Sequence, residues 1–99
     1  MNELEQLQAS AAQAAALLKA MSNPSRLLIL CMLCGAPGTS AGELARATGL
    51  SASATSQHLA RMREEGLIDS TREAQRILYF IKNDAVNQLI STLKTLYCP

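Results

Sequence analysis

Apolar residues recur at helical spacing over most of this chain, and turn signals divide them into separate segments. Between residues 3 and 21 the spacing predicts a first helix whose narrow apolar stripe is formed by Leu4, Leu7, Ala11, Ala14, Leu18 and Met21. Asn23 and Pro24 then signal a restart, because Asn caps helices and Pro suits a first helical position. The next helix, from about Pro24 to Cys34, is apolar on nearly every side, which is typical of a buried central helix.

A third helix is predicted after the break at residues 35–38, Gly-Ala-Pro-Gly. Thr39 or Ser40 caps it, and Glu43 is placed three residues later to complete a capping box. Gly49 ends this helix as a left-handed cap, so a tight turn leads directly into the next element.

The fourth helix begins after a Ser51 cap and runs from about Ala52 to Glu65. Its spacing puts Thr55, Leu59 and Met62 on one face. The remaining surface is small and polar near the amino end, which suits a helix that enters the major groove and reads base edges. The candidate DNA contacts on this helix are Ser51, Ser53, Ser56, Gln57, His58 and Arg61. A solvated face is the plainer alternative, but the preceding helix and turn favour a helix-turn-helix.

A polar hairpin is predicted after Gly66, with strands at Leu67–Ser70 and Arg76–Ile81 that are partly β-branched or aromatic. Arg72 lies near its tip and Arg76 close behind, so both are candidates for contacts with phosphates or a narrow minor groove. An ordinary surface hairpin is the alternative. Together the segments predict a mainly α, winged helix-turn-helix fold of about five helices and a two-stranded wing.

A last helix follows Asn83 or Asp84, and its apolar stripe consists of Val86, Leu89, Ile90, Leu93 and Leu96. No later segment of the chain can cover that stripe, but a second copy of the chain can. We therefore predict a homodimer of a single domain, residues 1–99, with the helices at 3–21 and 84–97 forming the interface. Two-fold symmetry would set two reading helices about 34 Å apart, one turn of DNA.

Charge alone does not favour DNA binding. The 99-residue chain has a net charge of +1, and a pI near 7.7 is not strongly basic. From Thr39 to Lys82 six basic residues are opposed by five acidic ones. Only the placement of Arg side chains can therefore support phosphate contacts.

Other classes of protein are disfavoured by what the sequence contains. It has a single His, no Gly-rich phosphate loop and no paired acid and base residues, so we expect no enzyme. The acidic start, with Glu3 and Glu5, differs from a secretory signal, and the apolar run Leu27–Leu33 is too short to cross a membrane. We expect a cytoplasmic protein with no membrane partner, whose three Cys are reduced by default.

With these elements in place, the chain resembles the ArsR/SmtB-type winged-helix transcriptional repressors over nearly its full length. The resemblance is carried by NPSRLLIL at residues 23–30, LSASATSQHLARMREEGLI at 50–68 and RILYFI at 76–81. It implies a homodimer that represses transcription from an operator in double-stranded DNA and dissociates when a ligand or oxidant acts on it.

Within that family the chain is most similar to the branch that senses sulfide and persulfide, through LLKAMSNPSRLLILCML at residues 17–33 and LYCP at 96–99. The resemblance implies two sensing thiols, which match Cys31 in the second helix and Cys98 near the end of the last. Persulfides or polysulfides would then be the inducer. Cys31 is expected to be protected and Cys98 mobile and reachable, while Cys34 is an extra thiol of open role.

Two other functions stay open at this stage. A metal-responsive repressor could use Cys31, Cys34 and Cys98 as thiolate ligands, since Cys31 and Cys34 are one helical turn apart. However, the third helix has no Cys or His and the last helix no His, so we expect no metal site and no cofactor. The second alternative is a small helical adaptor that binds a protein. Each Cys could also be an apolar filler.

Overall fold

The computed structural model describes residues 2–98 of the chain; Met1 and Pro99, at the ends of the predicted 1–99 domain, lie outside the described residues. Within that range five helices and three strands follow in the order α1 (Glu3–Met21), α2 (Pro24–Gly35), β1 (Thr39–Ser40), α3 (Ala41–Thr48), α4 (Ala52–Glu64), β2 (Ile68–Glu73), β3 (Arg76–Ile81) and α5 (Asp84–Tyr97). The predicted winged helix-turn-helix architecture is confirmed.

The predicted helix caps are present. The Asn23 side chain accepts from the Arg26 backbone N–H at 3.1 Å, and the Ser51 hydroxyl accepts from Ala54 N–H at 3.0 Å. Ser40 and Glu43 form the full capping box at the start of α3. Each such cap stabilises a helix start by about 1 kcal/mol, which is why short polar residues mark these boundaries in the sequence.

Two glycines in the left-handed region make the turns on either side of α4. Gly49 has a φ of 75° and Gly66 a φ of 79°, a conformation that costs a residue with a Cβ more than it costs glycine. The first turn sets α4 against α3, and the second directs the chain into the wing. The position of α4 on the surface therefore depends on both glycines.

The core lies where α2, α3, α4, α5 and the base of the wing meet. Its buried members are Met21, Ile29, Leu30, Leu33, Leu44, Leu59, Met62, Leu67, Ile68, Val86 and Ile90. The second helix is nevertheless not buried on all sides as its composition suggests, because Leu28 is 42% exposed. Its apolar surface is therefore only partly used within one protomer.

The wing has one more strand than predicted. β2 and β3 form the hairpin, with Ile68 opposite Ile81 and Glu73 opposite Arg76, but β1 adds to the other edge of β3. β1 is only two residues long, and Thr39 and Ser40 pair there with Tyr79 and Leu78. The predicted two-stranded hairpin is therefore present, and β1 is a third strand that the sequence did not indicate, because a strand this short has no sequence period of its own.

Helix α1 extends away from the core. Only Met21 of its residues is buried, while Leu4, Leu7 and Leu18 are 63%, 67% and 54% exposed. Tyr97, at the end of α5, is 81% exposed. Large apolar side chains in such number on two terminal helices are unusual for a free surface.

No single helix in residues 2–98 is long and apolar enough to cross a membrane. Helices α1 and α2 pass such a test only when taken together, by length and composition, and they meet at 94°.

Candidate DNA interface and thiol site

Helix α4 presents one apolar and one polar face, as the sequence predicts. Thr55, Leu59 and Met62 are buried against the core, and the Thr55 hydroxyl donates to the Ser51 carbonyl at 2.9 Å, so its burial leaves no unpaired polar group. Ser51, Ser53, Ser56, Gln57 and Arg61 are exposed, and His58 is half-buried. The predicted contact residues are thus brought together along one side of a rigidly packed helix.

The first turns of α4 carry short side chains that leave its backbone approachable. Ser51 serves as the cap, with its oxygen accepting from Ala54. One turn further along the helix, the Gln57 side-chain amide donates to the Ser53 hydroxyl at 3.5 Å. This contact is long and exposed, so the Gln57 amide is free to exchange it for the edge of a base.

The carboxyl end of α4 is held by a small ionic network. Glu65 accepts from Arg61 Nε at 3.3 Å and lies 3.8 Å from Arg26 Nη1. Arg26 also donates from Nη1 to the Ala20 carbonyl at 2.8 Å. Arg26 therefore connects the end of α1 and the start of α2 with the helix that carries the candidate DNA contacts.

The two wing arginines occupy different environments. Arg72 lies in β2 opposite Ile77 rather than at the tip, because the turn is only Ala74 and Gln75. Its side chain is exposed. Arg76, by contrast, forms an ion pair and hydrogen bond with Glu43 of α3.

The Glu43 carboxylate accepts hydrogen bonds both from Ser40, at the start of α3, and from Arg76 of the wing. Hydrogen bonds from the Ser40 hydroxyl and the Ser40 backbone N–H lower the pKa of its carboxyl, and Arg76 and Arg46 lower it further. The carboxylate is therefore charged at neutral pH and available to Arg76. The sequence signal, a capping box, indicated the Ser40 bond but not the link to the wing.

The three thiols lie where α2 and α5 pack together. Cys31 and Cys34 are half-buried on α2, Cys98 is exposed at the end of α5, and all three are free. Burial raises the pKa of the Cys31 thiol, and negative charge on Cys98 raises it further. Because such an effect falls off with distance, the thiol of Cys98 lies near enough to act on Cys31 across the contact between α2 and α5.

Cys98 continues the backbone hydrogen bonding of the last helix. Its backbone N–H donates to the Lys94 carbonyl at 2.9 Å, so it closes the last turn of α5 as the cap residue. Its side chain is exposed in the single chain, in agreement with the expectation that Cys98 is reachable.

A basic residue that sequence reasoning missed lies beside these thiols. The Lys94 ammonium lowers the pKa of Cys31, in opposition to the effects of burial and of Cys98. The sequence held one clue, since Lys94 precedes Cys98 by four residues and shares its helix face.

Metal binding finds no support at this site. In the part of the chain that the structure describes, no three His, Cys, Asp or Glu side chains are arranged to hold a metal ion, and this includes Cys31, Cys34 and Cys98 taken together. His58 lies on α4, in a shallow depression with Arg26 and Arg61.

The helix-turn-helix, its exposed polar helix and the adjoining wing define a winged-helix regulator of the kind that binds DNA. Residues 23–70 match the family described as bacterial regulatory protein, arsR family. The chain is 81% identical to the HTH-type transcriptional regulator YgaV of Escherichia coli over 99 residues, all of both chains. It is 44% identical to the transcriptional activator HlyU of Vibrio cholerae over 95 residues, covering 96% of this chain and 87% of that protein.

Solved structures agree with these relatives. The transcriptional repressor BigR from Xylella fastidiosa superposes with a TM-score of 0.85 at 32% identity, covering 99% of each chain. The homodimeric winged helix-turn-helix domain of Mb0332 from Mycobacterium bovis superposes with a TM-score of 0.77 at 27% identity, covering 97% of this chain and 86% of that one.

The chain belongs to the arsR family of bacterial regulatory proteins. It is a DNA-binding transcriptional regulator and not an enzyme, and the alternative of a protein-binding adaptor is accordingly set aside.

Proposed function

We propose that this protein is a cytoplasmic homodimeric repressor that holds an operator and leaves it when persulfide or polysulfide links Cys31 to Cys98. The observation that carries this proposal is the juxtaposition of a half-buried thiol on α2 with an exposed thiol at the end of α5. Two thiols on different helices can respond to one reagent in a way that a single thiol cannot. The resemblance to the persulfide-sensing branch points to the same pair.

The reaction consumes two persulfide donors, RSSH. The Cys98 thiolate attacks the outer sulfur of one donor, the donor S–S bond breaks, and RSH leaves Cys98 as a persulfide. Cys31 reacts in the same way with a second donor. The Cys31 persulfide then attacks Sγ of Cys98 and expels hydrosulfide, which leaves a trisulfide. Two RSSH and two thiols thus give one trisulfide, two RSH and one hydrogen sulfide. The thiols are oxidised, and one sulfane sulfur is reduced to sulfide.

Linking the thiols would alter the dimer because of where the two helices lie. α2 packs in the core beside α5, and α5 ends in the exposed apolar residues Leu96 and Tyr97. A covalent bond across α2 and α5 fixes their relative position and favours one of two dimer geometries. The network from Arg26 to Glu65 offers a direct route from α2 to the end of α4.

We propose that the protein represses transcription, although the names of its relatives include both a repressor and an activator. BigR is described as a repressor and HlyU as an activator. The fold sets how the protein holds DNA, whereas the position of the operator relative to the promoter sets the sign of regulation. The proposal therefore rests on release of DNA by sulfur chemistry and not on the fold alone.

Mass spectrometry of the protein after treatment with glutathione persulfide tests this proposal. Digestion without reduction is expected to give one peptide pair that joins Cys31 to Cys98 and carries one sulfur more than a disulfide. An oxidant that carries no sulfur, such as diamide, serves as the control and can give at most the disulfide. Modification of each cysteine separately, with no joined pair, would contradict the two-thiol switch.

The DNA contacts that we propose are the exposed polar residues of α4 and the wing arginines, namely Ser51, Ser53, Ser56, Gln57, His58, Arg61, Arg72 and Arg76. Short residues at the start of α4 would let the helix approach the groove, and the exposed arginines would contact the phosphates that flank it. Arg76 would have to exchange Glu43 for a phosphate, so its net contribution is expected to be smaller than that of Arg72.

Replacing Gln57 with Ala is expected to weaken operator binding by roughly 1–3 kcal/mol per half-site, because a base would lose its amide partner. Affinity for unrelated duplex DNA should change little. Fluorescence anisotropy with both duplexes measures the two effects, and Gln13→Ala on α1 provides the same residue change outside α4. An equal loss on both duplexes would refute a base-reading role for Gln57.

Replacing Arg72 with Gln is expected to weaken binding to every duplex and to reduce the slope of log K against log salt by about 1 per protomer. The reason is that each phosphate contact releases counterions. Arg76→Gln is the comparison variant, with a smaller expected change because Glu43 already holds that guanidinium. The affinity is measured over a series of salt concentrations. If the slope for Arg72→Gln equals that of the parent, Arg72 of the wing does not contact a phosphate.

A further inference from the structure

We propose that Lys94 is a positioning residue of the thiol site, which draws an anionic sulfur donor to Cys98 and stabilises the developing thiolates. The inference rests on the proposed function and names the substrate class for that site, an ionised persulfide or polysulfide in preference to a neutral oxidant. Lys94 is not itself expected to react.

The first support comes from Gly35, the last residue of α2. The Lys94 ammonium lies 3.3 Å from the position that a Cβ on Gly35 would occupy, so the missing side chain leaves room for it. Gly35 follows Cys31 by four residues, and side chains at that spacing on a helix begin roughly 5–6 Å apart. The charge of Lys94 is thus placed within about one helical turn of Cys31.

The second support comes from the register between the two helices. On α5 Cys98 follows Lys94 by four residues and donates its backbone N–H to the Lys94 carbonyl. Lys94 meets Gly35 on α2, and Cys98 acts electrostatically on Cys31, four residues before Gly35. The Lys94 ammonium therefore lies against the end of α2, one helical turn from Cys31, and Cys98 acts on that same turn.

Among the charged groups that act on Cys31, Lys94 supplies the positive charge. In residues 2–98 the groups that act on Cys31 are Cys98 and Lys94 of α5 and Cys34 of its own helix, with none from α3 or β3. Both cysteines raise the pKa of Cys31, and Lys94 lowers it. In the trisulfide step the persulfide of Cys31 reacts as an anion and hydrosulfide leaves from Cys98, and the ammonium stabilises both negative charges.

A charge at this place also selects among reagents. A persulfide is more acidic than the corresponding thiol, so it approaches largely as an anion and is attracted by Lys94. It accepts a proton before the Cys98 thiolate attacks its outer sulfur, so the species that reacts is the neutral RSSH and RS⁻ leaves. Diamide and hydrogen peroxide are neutral and gain nothing from it. The half-buried position of Lys94 limits screening by water and keeps the attraction larger than that of a free surface lysine.

Paired alkylating agents test this inference without any inducer or DNA. Rates of modification of Cys31 and Cys98 are measured with anionic iodoacetate and with neutral iodoacetamide, in the parent and in Lys94→Met. The ratio of the iodoacetate rate to the iodoacetamide rate is expected to fall about fivefold in Lys94→Met, which corresponds to about 1 kcal/mol, the interaction of two unit charges roughly 4 Å apart in water. The control Lys19→Met, on the exposed side of α1, should keep the parent ratio.

Three further readouts separate an electrostatic role from a merely structural one. The pH profile of alkylation at Cys31 should move to higher pH in Lys94→Met, because removal of the ammonium leaves the effects that raise its pKa unopposed. Lys94→Arg should restore the parent ratio. Gly35→Ala retains Lys94 but crowds its ammonium, so an intermediate ratio is expected.

An unchanged rate ratio and pH profile in Lys94→Met would overturn this inference, and failure of Lys94→Arg to rescue the ratio would do the same. Neither result would bear on whether persulfide links Cys31 to Cys98. Conversely, absence of the linked peptide pair would reject the proposed inducer and leave the alkylation test of Lys94 intact.

Discussion

Replacing Cys98 with Ser is expected to leave operator affinity unchanged and to abolish release by persulfide. Cys98 is exposed at the end of α5 and belongs neither to α4 nor to the wing, so its thiol is not expected to take part in holding DNA. Serine accepts no sulfur from a persulfide, and Cys31 alone can form only a linear persulfide that joins nothing. Loss of the Cys98 thiol should therefore abolish the release of DNA by persulfide completely.

The measurement is release of a labelled operator duplex as glutathione persulfide is added, followed by anisotropy. Cys34→Ser is the matched control, because Cys34 lies on α2 beside Cys31 and is also half-buried. It should release DNA as the parent does. Persistence of release in Cys98→Ser, or its loss in Cys34→Ser, would mean that another pair of thiols or a single thiol operates the switch.

A trisulfide between these residues would tolerate a wider range of separations than a direct disulfide. A disulfide requires Cα atoms about 4.4–6.8 Å apart. The inserted sulfur would lengthen the bridge and relax that limit where it closes across α2 and α5. The reaction also needs a donor of sulfane sulfur, which a simple oxidant cannot supply.

The local structure could be predicted from the sequence because its signals are local. Asn23, Ser40 and Ser51 each cap the helix that follows through a bond to a backbone N–H three residues on. Gly49 adopts the left-handed turn for which its position after a helix is diagnostic. The face of α4 that would meet DNA also followed from spacing alone, since burial of Thr55, Leu59 and Met62 fixes what the other side exposes.

Features that depend on distant parts of the chain could not be predicted in this way. Strand β1 exists only because β3 offers Tyr79 and Leu78 as partners. Arg76 meets Glu43 across 33 positions of sequence, and Lys94 comes to rest on Gly35 through the packing of α2 on α5. In each case composition gave the chemical groups, but tertiary packing decided which of them meet.

The predicted dimer depends on the exposed apolar residues of α1 and α5. Replacing Leu7 with Asp should convert the protein to a monomer, because Leu7 is 67% exposed in the single protomer and would be covered in a dimer built on α1 and α5. A carboxylate buried without a partner costs several kcal/mol. Within the protomer the same change touches no core residue, so helix content should be retained.

Loss of the dimer should weaken operator binding by roughly 100-fold or more, because two half-sites would no longer be held by one linked molecule. Sedimentation velocity and operator anisotropy on the same sample measure both effects, and Leu96→Asp, on α5, tests the other predicted helix of the interface. Ile77→Asp is the matched control for assembly, since Ile77 is also an exposed apolar residue, 46% exposed, but lies on the wing. If the Leu7→Asp protein sediments as the parent does, the dimer interface does not include this part of α1, and the predicted interface of α1 and α5 is wrong.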